Sequence, residues 1–175
     1  MKIYLRALEI NDYQIINKWR NDINLSKYLG GNFFLVSSER EKKSIENKIF
    51  DDSKNIYFGI CDIKTDKFIG FSSINNIDLR NQKAEWGGTL IGDTDYIGKG
   101  YGKEASKTML RFLFDQYPIQ KCYGYCLEEH PSSPKLLLSL GFSKDGILRN
   151  DLFKNGEFKN IILFSILRDE IKGRF

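Results

Sequence analysis

The stretch "GDTDYIGKGYGKEASKTMLRFLF", residues 92–114, most constrains this chain, because four glycines (Gly92, Gly98, Gly100 and Gly102) stand directly before a sixteen-residue amphipathic run. Turning a strand into a helix needs one such residue, and each further glycine costs roughly 0.5–1 kcal/mol in backbone entropy. The extra bare backbone therefore implies a use. A helix N-terminus presents unpaired N–H groups and the positive end of the macrodipole. Glycines at 98, 100 and 102 clear β-carbons from in front of those groups, and Lys99 and Lys103 add positive charge beside them. A pyrophosphate suits such a place.

Two familiar nucleotide loops do not fit the spelling. A P-loop needs Ser or Thr after Gly102-Lys103, and Glu104 stands there. The dinucleotide fingerprint fails because Gly98 and Gly100 are followed at the required third position by Lys103.

The hydropathy period places the rest. "KIYLRAL" reads as a strand, and "NDYQIINKWRND" as a helix with Asn11 and Gln14 at capping-box spacing. Ser38 and Glu41 mark a second, charged helix. "NIYFGICDI", "KFIGFSSINNIDL" and "KAEWGGTLIG" read as three strands of an antiparallel meander. After the glycine loop and its helix come a short strand "KCYGYCL", a short helix "SSPKLLLSL", and a hairpin that closes on Asn155-Gly156. The order predicts one α/β domain over residues 1–175, with a mixed, mostly antiparallel sheet of about seven strands and about four flanking helices.

Twenty-seven basic against twenty-three acidic residues, scattered along the chain, favour a local anionic ligand over nucleic acid. No apolar run reaches the roughly 20 residues of a membrane span, so a cytoplasmic protein is expected. Cys61, Cys122 and Cys126 with a single histidine lack the partners of a zinc site and read as reduced thiols, with no metal required.

"YIGKGYGKEA" after "AEWGGTLIGD" resembles the cofactor loop of the GNAT N-acetyltransferases, in the RimJ/RimL-like branch that holds ribosomal-protein, spermidine and amino-sugar acetyltransferases. The family pattern Q/R-x-x-G-x-G/A falls on Ile97-x-x-Gly100-x-Gly102, with Ile97 departing from Gln/Arg. "LRALEINDYQIINKWRNDINLSKYLG" is similar to the family's opening strand and paired helices. "DKFIGFSSINNIDLRNQKAEWG" is similar to its meander, and "GILRNDLFKNGEFKNIILFSILRDE" to its closing hairpin.

The resemblance implies direct acetyl transfer from acetyl-CoA to a primary amine in a ternary complex. It implies that Ile97, Gly98, Lys99, Gly100, Tyr101, Gly102 and Lys103 hold the pyrophosphate, and that the backbone of Thr89, Leu90 and Ile91 holds the pantetheine arm. His130 falls on a cofactor-side position. Ser133 falls where relatives place a serine facing the thiolate, while Leu137 stands where many carry a tyrosine acid. A helix cap is the plainer reading of Ser133.

Glu85 is the candidate base, with pairing to a neighbouring Lys or Arg as the plainer alternative. Relatives also place a glutamate where Leu152 stands here, so Asp151 takes that role only if a bulge turns it inward. Trp19, Arg20, Tyr28, Phe34 and Trp86 are candidates for the acceptor side. The stretch "WRNDINLSKYLGGNFF" is not acidic, which favours a protein N-terminus or an amino sugar over a polyamine. A homodimer is compatible with the family, and a non-catalytic acyl-CoA-binding sensor is the alternative reading.

Overall fold

A computed structural model describes residues 1–27, 29, 33–51 and 54–171. Seven strands form one sheet: β1 (Ile3–Ala7), β2 (Ile56–Asp62), β3 (Phe68–Asp78), β4 (Lys83–Ile91), β5 (Lys121–Leu127), β6 (Ser143–Lys154) and β7 (Glu157–Leu167). Their spatial order is β1-β2-β3-β4-β5-β7-β6, and only the β4–β5 pair is parallel. Among the described residues six helices surround it: α1 (Tyr13–Arg20), α2 (Ile23–Ser26), α3 (Ser38–Ile49), α4 (Tyr101–Gln116), α5 (Ser133–Leu140) and α6 (Arg168–Ile171). Four of these match the helices expected from the sequence; α2 and α6 are single turns too short to carry a period.

Each face of the sheet has its own core. Leu8, Ile16, Trp19 and Ile45 from the α1–α3 layer bury against Tyr57, Phe68, Phe71 and Leu90. Met109, Leu110, Leu113, Leu137 and Leu140 from α4 and α5 bury against Ile74, Trp86, Cys122 and Ile166 on the other face. Strict alternation would put Trp86 and Leu90 on one face, but a bulge between them in β4 turns Leu90 toward α1 and leaves Trp86 facing α4.

Two caps differ from expectation. Asp12, not Asn11, precedes α1, and its carboxylate accepts from Glu9 N–H at 2.8 Å while pairing with Arg6. Ser37, one residue before Ser38, caps α3 by accepting from Arg40 N–H at 3.2 Å. Ser37 thus takes the capping role one residue early, whereas the Asp12 carboxylate closes the turn that begins at Glu9 and makes no cap bond to α1. The Asn155-Gly156 turn is as expected, with φ of 53° and 84° as a two-residue hairpin requires.

Candidate active site

The parallel pairing of β4 with β5 spans only Lys83–Glu85 against Lys121–Tyr123. Beyond it the strands part, and the sequence "GG" of β4 supplies the cause. Between Trp86 and Thr89 strand β4 holds one more residue than β3 opposite, a bulge with Gly88 at φ 91°. At Gly87 a β-carbon would lie 2.1 Å from Ser73 Oγ, so neither position admits a side chain without rearrangement. The bulge bends β4 away and leaves its edge unpaired toward β5.

The gap opens a cleft of about 620 Å³, between α1 and β3 on one side and β5, α5 and the β6–β7 hairpin on the other. Arg20, Glu85, Trp86, Thr89, Leu90, His130, Ser133 and Asp151 all line it, drawn from four separate elements and one loop. Ile91 lies outside, packed in the core with Ile3, Ile60 and Ala105.

At the far end of β4 the glycine loop is open. Gly98 and Gly100 have φ of 75° and 87°, a region that excludes most side chains. A β-carbon at Gly98 would meet nothing within 4 Å, and at Gly100 only Lys2 Nζ at 3.9 Å. Lys2 Nζ also donates to Lys99 O at 2.9 Å, adding a third lysine to Lys99 and Lys103. Nothing local in the sequence marks Lys2, which β1 brings in from 97 residues away. Ile97 is exposed, while Tyr101 turns from the loop to donate to Asp62 at 3.2 Å and stack on Tyr96.

A buried run of hydroxyls ties loop to cleft. Ser106 Oγ donates to Gly102 O at 2.8 Å and lies 2.9 Å from Thr89 Oγ1, which lies 2.9 Å from Ser72 Oγ. Ser72 in turn donates to Gly88 O in the bulge at 2.8 Å. The open residues fit a pyrophosphate at the start of α4 and an amide-bearing arm along the free edge of β4.

The titratable groups differ in how they are held. Glu85 is bound by an amide, Asn76 Nδ2 at 2.7 Å, and not by the Lys or Arg of the plainer reading. Asp151 does sit on a bulge: β6 carries two more residues than β7 between Leu148 and Leu152, with Asn150 at φ 53°. Asn160 Oδ1 accepts from Asn150 N–H at 3.0 Å and so pins the bulge. Tyr125, a cleft residue that the sequence reading missed, lies between these groups. Its phenol is pushed up by burial and by the charge of Glu85, with Asp151 adding to it. Burial likewise pushes its neighbour Tyr123 up to about 12. Strand alternation with the "AEWG" pairing is the signal that would have found Tyr125.

His130 caps α5. Its Nδ1 accepts from Ser133 N–H at 3.0 Å and Ser132 N–H at 3.2 Å, and burial pushes its pKa down. Ser133 is therefore not the cap; it lines the cleft, and its hydroxyl has no hydrogen-bond partner among the described residues. Burial pushes the Cys122 thiol up and the Cys126 thiol to about 11, which leaves little thiolate for nucleophilic attack.

Of the acceptor-side candidates, Arg20 and Trp86 line the cleft, whereas packing places Trp19 and Phe34 outside it. Trp19 is 6% exposed in the core, 5.3 Å from the Phe68 ring and directly beneath Gly92, outside the cleft. Phe34 lies on the surface under the Arg40 guanidinium, also outside it. Trp86 lines the cleft from the α4–α5 face, against Phe142 and Gly124. Tyr28 lies outside the described residues. Among the described residues no group of three His, Cys, Asp or Glu converges as a metal site would, and no helix is long and apolar enough to cross a membrane.

Residues 2–143 match the family model of the acetyltransferase (GNAT) domain, and the chain belongs to this family of acetyltransferases. It is 29% identical to an uncharacterised N-acetyltransferase of Bacillus licheniformis, over 98% of this chain and 96% of that one. It is 25% identical to a spermidine N(1)-acetyltransferase of Vibrio cholerae, over 99% and 97% of the two chains. The fold matches the crystal structure of spermidine N-acetyltransferase from Vibrio cholerae in complex with CoA and spermine, with a TM-score of 0.88 at 24% identity over 98% and 99%.

Proposed function

We propose that this chain transfers the acetyl group of acetyl-CoA directly to a primary amine, with a protein N-terminus or an amino sugar favoured over a polyamine. The observation that carries the reading is the cleft itself. It holds an unpaired strand edge, two carboxylates and one hydroxyl without a partner among the described residues, and β4 runs from it toward the open glycine-capped helix start.

When bound, acetyl-CoA supplies the activated acyl group. Backbone N–H groups at the start of α4, with Lys2, Lys99 and Lys103, hold the pyrophosphate, and the edge at Thr89–Leu90 orients the arm. Glu85 and Asp151 attract the ammonium form of the acceptor and take its proton, directly or through water. Ser133 donates toward the departing sulfur. Cys126, raised and half-buried, is no acyl carrier, which supports a ternary complex over a covalent intermediate.

The test is thiol release from acetyl-CoA with spermidine, amino sugars free and nucleotide-linked, and peptides with free N-termini. Release with peptides or amino sugars supports the reading. Release with spermidine alone replaces the acceptor by that of the Vibrio cholerae relative. CoA binding without release from any pool leaves the sensor as the better account.

A further inference from the structure

Among the described residues that line the cleft, Arg20 is the one lysine or arginine, and it stands on the α1 wall. Its Nε is buried 2.7 Å from Oε2 of Glu41, whose side chain is 1% exposed. The contact lies off the N–H direction, so it is an ionic contact without a formed hydrogen bond. Lys48 acts electrostatically on both members, so these three side chains together keep one net positive charge.

The backbone under Arg20 is fixed. Asn17 and Asn21 each donate to Val36 O at 2.9 Å, and Ser26 Oγ donates to Arg20 O at 3.1 Å. The guanidinium is thus held by its inner edge, while Nη1 and Nη2 find no acceptor among the described residues and 40% of the side chain stays exposed. A fork held in that way suits the paired oxygens of a carboxylate or phosphate. The carboxylates of Glu85 and Asp151 belong to other elements, β4 and β6, so the cleft offers an anionic and a cationic wall.

We infer that Arg20 is a specificity-determining residue: it receives a carboxylate or phosphate of the acceptor, so the cleft acetylates primary amines that also carry an anion. Glu41 acts as its positioning residue. The inference rests on the acetyl transfer proposed above and narrows its acceptor. A polyamine lacks the anion and adds charge that Arg20 repels.

Thiol release is compared within matched acceptors: glucosamine against glucosamine 6-phosphate, and free-N-terminal peptides differing only by Ala or Asp at the second position, with spermidine alongside. At least one anionic member should show kcat/KM about 10- to 100-fold above its neutral partner, the range of a charge-assisted contact. The pair that responds identifies the anion as phosphate or carboxylate. Arg20→Gln should close that gap through KM, and Arg20→Lys should restore part of it.

Neutral members or spermidine turning over fastest would overturn the inference while leaving acetyl transfer intact. An unchanged gap in Arg20→Gln would overturn it as well. If Arg20→Gln does not fold, because Glu41 is then buried without its partner, the wild-type pairs and Arg20→Lys decide. Thiol release with none of the acceptors would overturn the transfer reading and this inference with it.

Discussion

At Gly92 a β-carbon would stand 2.0 Å from Trp19 Cδ2, whereas at Gly102 it would meet nothing nearer than Ile91 Cγ1 at 3.6 Å. The four glycines of the loop therefore have three explanations: packing at Gly92, left-handed backbone at Gly98 and Gly100, and nothing in the fold at Gly102. Gly92→Ala should destabilise by about 1–3 kcal/mol through overpacking. Gly102→Ala should stabilise by about 0.5–1 kcal/mol through helix propensity. Thermal melts of the two variants check this, and a loss at Gly102 equal to that at Gly92 would contradict the assignment of its bare backbone to a ligand. His130 gives a pH dependence. Its folded pKa is depressed, so the unfolded chain takes up the proton first and stability falls as pH drops from about 6.5 through the folded value. The melting temperature should accordingly fall less between pH 7.5 and 5.5 in His130→Asn than in the wild type, with both values set by the expected window.

Among the elements, the two bulges make the cleft. One parts β4 from β5, and the other brings Asp151 to the wall. The second depends on Asn160, which accepts from Asn150 N–H and donates to Glu128 at 2.8 Å. Asn160→Ala should cost about 0.5–1.5 kcal/mol of stability for the lost hydrogen bonds. It should lower kcat by about 100-fold, the low end of what a positioned general base contributes. Turnover at the wild-type rate would show that Asp151 or its placement is not used. Element identity was legible because the periods were clean: "KCYGYCL" is β5 residue for residue, and α4 has the predicted length of sixteen, although it starts at Tyr101 and so takes Gly102 into its first turn. The bulges were less so. "EWGG" contains the signal, paired glycines within a strand, but its effect depends on Ser73 and Asn75 of β3, whose register no local pattern fixes. Likewise the resemblance placed His130 on the cofactor side, while its capping of α5 depends on the turn at Pro131–Ser132, which spacing alone does not give.

Across the whole molecule, the sheet couples the glycine loop proposed to hold the pyrophosphate to the cleft proposed to take the amine. Ser106 donates to Gly102 O and Ser72 to Gly88 O, and Thr89 Oγ1 lies 2.9 Å from both serines with one proton to give to either, so a row of hydroxyls on α4, β4 and β3 runs from the helix start to the bulge. None of these hydroxyls is distinctive in sequence, because each is significant only beside the others. Breaking the middle with Thr89→Val, which leaves both serines on their carbonyls but removes the hydroxyl between them, should weaken CoA binding by about tenfold, the order of one lost hydrogen bond. An equilibrium titration of the variant with CoA measures this. The central claim is that loop and cleft act together in acetyl transfer. The most direct measurement of it is thiol release from acetyl-CoA with the anionic acceptors, in wild type and in Gly100→Glu, whose carboxylate would enter the open loop. The account predicts acetylated amine from the wild type, and loss of both CoA binding and product in the variant. Unchanged CoA affinity in Gly100→Glu would contradict it.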